Sequence, residues 1–200
     1  LNGRTVASDV GEIQLTSRSG SGETLVRYFI NIGGCGASGE VVERVNRSGK
    51  QLGGFLTFFT ASLASTLRYY SPEVEISIDG AAPRQIPLNV LFVCNGQYCG
   101  GGMWVGPEAR IDDGRFSVLE IAATSRMGAV LSGSRLYSGK IDRIPGARSY
   151  TARSIRVTSS QEVLVECDGE QPGILPATWT LLEKALRVQV RSDAPAVSEG

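Results

Sequence analysis

Glycine-centred turns cut this chain into runs too short for a fold of long helices. Twenty-five of its 200 residues are glycine. Several sit in dipeptides that favour chain reversal: Asp79–Gly80, Asn95–Gly96, Asp113–Gly114 and Asp168–Gly169. Between them lie β-branched and aromatic runs, a pattern that predicts strands joined by tight turns. Residues 6–15 read as an entering strand and residues 25–32 as a second, with the pattern breaking at 33–36. Ser38 can cap a short helix over 40–45. The apolar spacing of residues 53–70 is helical, and Ser71–Pro72 stops it. Strands resume where Val74, Ile76 and Ile78 alternate with polar residues into the Asp79–Gly80 hairpin signal. Residues 89–94 and 116–121 read as further strands, 127–136 as a third helix, and 154–158, 162–167 and 185–190 as strands. The expected fold is α+β: a mainly antiparallel, β-sandwich-like domain over residues 1–191 with a few inserted helices. Residues 192–200 are expected to form a disordered tail.

Composition removes several classes of function. Lys plus Arg and Asp plus Glu each total 20, so the basic excess of a nucleic-acid binder is missing. No histidine is present. That excludes a Ser-His-Asp triad, a Cys-His pair and a histidine-based zinc site within this chain. Chemistry here must run on carboxylates, lysines or residues supplied from elsewhere. Cys35, Cys94, Cys99 and Cys167 form neither a CxxC pair nor a disulfide-like framework, which points to a reducing, cytosolic compartment. The longest apolar run, residues 55–67, is interrupted by Thr57, Thr60, Ser62, Ser65 and Thr66. It falls short of the roughly 20 residues that span a bilayer. The chain begins at Leu1 with no export segment, and is read as an excised fragment.

Three patches carry the residue types that chemistry needs. In Cys94-Asn-Gly-Gln-Tyr-Cys-Gly-Gly-Gly-Met103, the triple glycine is entropically costly and implies positive φ or close backbone approach. Downstream, Asp112 and Asp113 could offer oxygen ligands to a hard cation, or simply form a turn. In Glu166-Cys-Asp-Gly-Glu170, one reading is a hairpin turn at Asp168–Gly169 with solvated carboxylates. The other is a turn that projects Glu170 into a cleft as a general base. The third patch, Tyr28 to Gly36, is a strand entering a glycine loop. It lacks both GxGxxG and GxxxxGK[ST] spacing, so nucleotide binding is not expected there.

The order of these patches resembles the bacterial diacylglycerol-kinase-like family, whose general plan sphingosine and ceramide kinases share. The matching segments are Asp9-Val-Gly-Glu-Ile13, Asn95-Gly-Gln-Tyr-Cys-Gly-Gly-Gly102, Pro107-Glu-Ala109, Asp113-Gly114 and Asp168-Gly-Glu170. The resemblance implies a two-domain enzyme in which an N-terminal α/β domain carries a GGDGT-type nucleotide loop. No GGDGT occurs in this sequence, so the chain resembles the second, β-sandwich-like domain alone. By the same resemblance Glu170 is the general base, taking a proton from a lipid hydroxyl as it attacks ATP. The Asp113 side chain and the backbone carbonyls of Arg110 and Arg115 are the implied ligands of a structural Mg²⁺. Asn95, Gly100, Gly101 and Gly102 are the implied substrate-binding residues, and ATP is the co-substrate, held mainly by the other domain.

Expected partners are a lipid substrate at the membrane surface, the N-terminal kinase domain of the same polypeptide and a second copy in a homodimer. Nucleic acid is not among them. The implied location is the cytoplasmic membrane face, with peripheral association. Residues 55–67 and Trp104 are candidate walls of an acyl-chain pocket, or ordinary core. One departure stands out: many members read Gly-Phe-Asp-Ala where this chain has Gly36-Ala-Ser-Gly39, so the family carboxylate is missing there. Rival expectations are an NAD-kinase-like domain and a non-catalytic lipid-binding or regulatory module of the same fold.

Overall fold

The computed structural model describes residues 3–20, 22–48, 69–123 and 135–191. Its strands are β1 (Gly3–Thr16), β2 (Thr24–Phe29), β3 (Ile32–Gly36), β4 (Glu73–Ile78), β5 (Arg84–Cys94), β6 (Tyr98–Cys99), β7 (Met103–Trp104), β8 (Phe116–Ala122), β9 (Ala147–Ala152), β10 (Ser154–Thr158), β11 (Leu164–Cys167) and β12 (Glu170–Arg191). The α-helix α1 (Ala37–Ser48) follows β3, and a short 3₁₀ turn covers Ile141–Arg143.

Every described pairing is antiparallel. The pairings β12–β11–β3–β5–β4–β10 return to β12, so these strands form a closed circuit. β1 and then β2 add outside β12, while β8 and then β9 extend from β5. The expected antiparallel, sandwich-like α+β class is the one observed, with a barrel-like closure.

Side-chain alternation explains why the second half of β5, residues 90–94, reads as an unbroken apolar run. Leu91 and Val93 join one core with Ile13, Phe29, Cys35, Phe116 and Trp179. Val90, Phe92 and Cys94 face a second core with Ile32, Ala37, Met103 and Val105. Both faces of the strand are therefore buried, which removes the polar half of the usual alternation. Val41 and Val42 of α1 are also buried.

Two sequence expectations need correction. Residues 33–36 are not a loop after a strand: they form β3, wholly buried, and the break falls at Ile30–Asn31. Glycine permits this, because a Cβ on Gly34 would collide with the carbonyl oxygen of Leu91 on the neighbouring strand. The C-terminal strand is also far longer than 185–190, running over Glu170–Arg191. Pro172 and Pro176 obscured it, since proline within a run argues against a strand. In the structure both fall where the pairing register shifts, against β11 and β1 respectively. The expected helix at 53–70 lies outside the described residues except for its last two. The expected helix at 127–136 and the expected tail at 192–200 also fall mainly or wholly outside them.

Candidate active site

Asp168 and Gly169 form the two-residue turn between β11 and β12. Both have positive φ, 45° and 84°, the conformation for which Asp-Gly is favoured in tight hairpins. The break between β2 and β3 leaves three successive N–H groups without strand partners, and the Asp168 carboxylate takes them all. Ile30 donates at 2.8 Å, Asn31 at 3.1 Å and Ile32 at 2.9 Å. The Asp168 N–H returns a bond to the Ile32 carbonyl at 2.9 Å. From the other side Asn46 of α1 donates its Nδ2 to the Gly169 carbonyl at 3.4 Å. The turn is thus held from two elements, and Glu170, the first residue of β12, stands exposed beside it. A carboxylate spent on three backbone donors is a clamp, which the motif alone did not reveal.

A second network gathers the residues around the Asp113–Gly114 turn. Asp9 is fully buried, and its carboxylate accepts the N–H of Gly114 at 2.8 Å and of Lys184 at 2.7 Å. Its own N–H donates to the Ile111 carbonyl at 2.5 Å. Asp113 is exposed, and its Oδ1 accepts the N–H of Arg115 at 3.1 Å. Asp112 Oδ1 is buried without a hydrogen-bond partner, 3.9 Å from Arg110 Nε. Among the described residues no three His, Cys, Asp or Glu side chains gather as a metal cluster. Any cation at this loop would therefore depend on backbone carbonyls with one or two carboxylates. That donor set, with an unsatisfied buried oxygen in Asp112, suits a hard cation such as Mg²⁺.

Asn95 is buried and structural in its contacts. Its Nδ2 donates to the carbonyls of Asp9 at 3.0 Å and Ile30 at 2.9 Å. Its N–H, with that of Gly96, reaches the Asn31 carbonyl. Its Oδ1 is buried without a partner among the described residues. The Gly100–Gly102 turn links β6 to β7, and its three φ values of 35°, 73° and 95° supply the positive φ that the sequence implied. Trp104 is half-buried, and its ring stacks on the exposed Tyr98 with centroids 5.6 Å apart.

The model of the YegS C-terminal NAD kinase beta sandwich-like domain matches residues 32–190. The chain belongs to this family. Among curated relatives, the diacylglycerol kinase of Staphylococcus carnosus is 25% identical over 197 residues, covering 96% of this chain and 59% of that protein. The diacylglycerol kinase of Bacillus subtilis is 24% identical over 168 residues, covering 84% of this chain and 55% of that protein. The chain thus spans a little over half the length of these relatives. A solved diacylglycerol kinase structure from Bacillus anthracis str. Sterne shares the fold, with a TM-score of 0.58 at 19% identity, covering 98% of this chain and 56% of that one. Another structure from that organism gives a TM-score of 0.64 at 22% identity, over 98% of this chain and 59% of its own.

Within this YegS-type domain the clamped turn has an apolar border. Tyr28 is 59% exposed, Ile30 56% and Tyr98 50%. The first two lie at or next to the β2 end that Asp168 clamps, and the Tyr98 carbonyl accepts Asn31 Nδ2 at 3.0 Å. No helix among the described residues is long and apolar enough to cross a membrane.

Glu166 differs from the solvated carboxylate expected of a hairpin residue. It is only 6% exposed, because its position in β11 faces Gly34 of β3 beneath the second core. Burial pushes its carboxyl up to about 8; the nearby Asp168 charge adds to the rise, and the Gly169 backbone N–H offsets part of it. Sequence reasoning missed it because strand alternation beside a turn does not reveal what covers each face.

Proposed function

We propose that this chain is the lipid-acceptor and catalytic-base domain of an ATP-dependent lipid kinase acting on a lipid hydroxyl such as that of diacylglycerol. The observation that carries this reading is the clamped turn. Asp168 is consumed by three backbone donors, and the neighbouring Glu170 is left exposed on a fixed support. Glu170 accepts the proton of the lipid hydroxyl as that oxygen bonds to the γ-phosphorus of ATP. The bond from that phosphorus to the bridging oxygen breaks, and ADP leaves. Phosphoryl transfer depends mainly on positioning and charge neutralisation, so ATP is held chiefly by the nucleotide-binding domain of the same polypeptide.

Asp113, with the backbone carbonyls of Arg110 and Arg115, would hold Mg²⁺ at the neighbouring loop. There the ion would supply fixed positive charge and cross-link the turn. Asn95 and the Gly100–Gly102 turn shape the acceptor side. In this reading Asn95 acts through the backbone it braces. The exposed Tyr28, Ile30 and Tyr98 suit a protein working at the cytoplasmic membrane face. The names of the curated relatives support the same reaction class.

The test is ATP-dependent phosphorylation of diacylglycerol in mixed vesicles, by the full-length protein and by residues 1–200 alone. Phosphorylated lipid is expected from the first and none from the second. Transfer by residues 1–200 alone would overturn the domain assignment. Failure of the full-length protein on every lipid hydroxyl tried would sink the kinase reading.

A further inference from the structure

Six large apolar side chains stand exposed among the described residues, and four of them, Val26, Tyr28, Ile30 and Tyr98, gather beside the clamped turn. Exposed apolar residues scattered singly are ordinary, whereas a contiguous group marks a surface that meets a partner. Val26 and Tyr28 alternate along β2, and Ile30 follows two residues on. Asn31 ties Tyr98 to them. Its Nδ2 donates to the Tyr98 carbonyl at 3.0 Å, and its own carbonyl accepts the N–H of Asn95 at 2.9 Å and of Gly96 at 2.8 Å. A Cβ at position 96 would lie 2.1 Å from Asn31 Oδ1, so glycine lets the two segments approach this closely. Trp104 stacks against the Tyr98 ring. The group is therefore fixed before anything binds, which spares the entropy of ordering it.

The backbone under this group offers nothing to a partner strand. Among the described residues β2 pairs only with β1, and an unpaired edge ordinarily recruits a further strand. At the end that carries Tyr28 and Ile30, the edge is already closed. The N–H groups of Ile30, Asn31 and Ile32 go to the Asp168 carboxylate. The Tyr28 carbonyl accepts the Cys167 thiol at 3.4 Å, the Ile30 carbonyl accepts Asn95 Nδ2 at 2.9 Å, and the Ile32 carbonyl accepts the Asp168 N–H at 2.9 Å. What remains is side chains, and a lipid interface takes those without any backbone pairing. Tyrosine suits such a boundary because its ring is apolar and its hydroxyl stays wet. The rim is mixed in charge, with Glu12 opposite Tyr28, Arg27 within β2 and Glu170 beyond the turn. That rim complements headgroups carrying both signs. It lacks the cluster of cations that draws a protein to an anionic leaflet.

We propose that Val26, Tyr28, Ile30 and Tyr98 form the surface by which the protein docks on a bilayer of zwitterionic headgroups. This rests on the lipid-acceptor reading above and gives that reading an orientation. Asp168 binds the Ile30 N–H and lies two residues before Glu170. A bilayer that takes in the Ile30 side chain therefore holds Glu170 at the boundary where the hydroxyl of a bilayer-borne lipid lies. Docking driven by apolar side chains over a mixed rim depends on buried apolar area, and only weakly on anionic lipid or salt.

Two readouts test this on the full-length protein with Tyr28→Ser and Ile30→Ser, both at exposed positions where substitution leaves the core intact. The first is co-sedimentation with phosphatidylcholine vesicles containing diacylglycerol. The wild type should bind, and each variant should partition about tenfold less, as expected when one large apolar side chain no longer enters the interface. Raised salt should leave wild-type binding nearly unchanged. The second readout is phosphorylation of diacylglycerol in those vesicles against a short-chain diacylglycerol dissolved as monomers. The variants should lose kcat/KM on vesicles and keep it on monomers. Variants that bind vesicles like the wild type overturn the proposal. So does binding that appears only with phosphatidylglycerol and vanishes in salt. If the substitutions instead dissociate a dimer in sedimentation equilibrium and spare vesicle binding, the patch joins two copies and the proposal falls. Should the full-length protein phosphorylate no lipid, the kinase reading fails by itself, while the vesicle partition still decides whether this surface docks.

Discussion

Asp9 Oδ2 accepts the backbone N–H of Gly114 at 2.8 Å, across 105 residues of chain. The same carboxylate accepts the Lys184 N–H at 2.7 Å, where β12 bulges against β1. One side chain therefore ties the proposed cation loop to the two longest strands. Leaving a buried donor unpaired costs about 1–3 kcal/mol. Asp9→Ala strands two donors, one of them only partly buried, so it should lower unfolding free energy by about 2–4 kcal/mol. Asp9→Asn keeps one acceptor oxygen and should cost less. Equal urea midpoints for wild type and Asp9→Ala would make the link incidental.

Asp113 predicts a different signature because its carboxylate is exposed. Without added metal, Asp113→Ala should change stability by no more than about 1 kcal/mol, the cost of one exposed turn hydrogen bond. With metal, the wild type should gain melting temperature as Mg²⁺ is raised, since a ligand bound only by the folded state stabilises it. The variant should lose most of that gain. Superimposable magnesium titrations would leave the loop a simple turn.

Glu120 is 1% exposed. It is paired with the Arg84 guanidinium through both oxygens and accepts the Tyr150 hydroxyl at 3.0 Å. Removing one partner of a buried pair costs about 3–5 kcal/mol because the other charge stays behind. Arg84 is partly exposed, so Arg84→Met should cost somewhat less, about 2–4 kcal/mol. Adding Glu120→Gln should restore part of the loss, since the amide is uncharged and still accepts from Tyr150. A double variant less stable than Arg84→Met would contradict this account.

The antiparallel class was legible in the sequence because turn dipeptides and β-branched runs are local signals. Asp79–Gly80, for instance, forms its turn with both residues at positive φ. What was not legible depends on which distant strand covers a residue. Gly33 and Gly34 read as a loop, yet they form a buried strand because β5 and β11 flank them closely. Trp179 is fully buried in a stretch hidden by two prolines that sit at register shifts. The site divides in the same way. Asp168-Gly-Glu170 and Asp113-Gly114 could be found as motifs. The clamp on residues 30–32, the anchor at Asp9 and the burial of Glu166 all arise from long-range contacts.

Glu166 also sets a pH dependence of stability. Burial first, and Asp168 second, raise its carboxyl from the usual 4.5 to about 8 in the folded protein. The folded state then binds a proton that the unfolded state has released. The stability associated with that proton is complete below about 4.5, falls as pH rises, and is lost once pH passes about 8. Glu40, raised chiefly by burial as well, contributes in the same direction in any variant that retains it. Melting temperature should therefore decline between pH 5 and 8 in the wild type and decline less in Glu166→Gln. Parallel curves would show that Glu166 ionises normally.

Glu170 carries the most consequential expectation. It begins β12 directly after a turn fixed by Asp168, and its side chain is exposed. With no histidine in the chain, a carboxylate is the available proton acceptor near neutral pH on this side of the reaction. A positioned general base contributes about 10²–10⁴-fold to rate. In the full-length protein Glu170→Gln should therefore lower kcat for lipid phosphorylation by about that factor. The amide keeps the shape of the side chain but cannot take the proton, so ATP affinity and melting temperature should stay close to wild type. Asp168→Asn is the informative contrast. It weakens the clamp on Ile30, Asn31 and Ile32, so it should reduce melting temperature and turnover together. Near wild-type turnover in Glu170→Gln would leave this residue a turn carboxylate and would require the proton to go elsewhere.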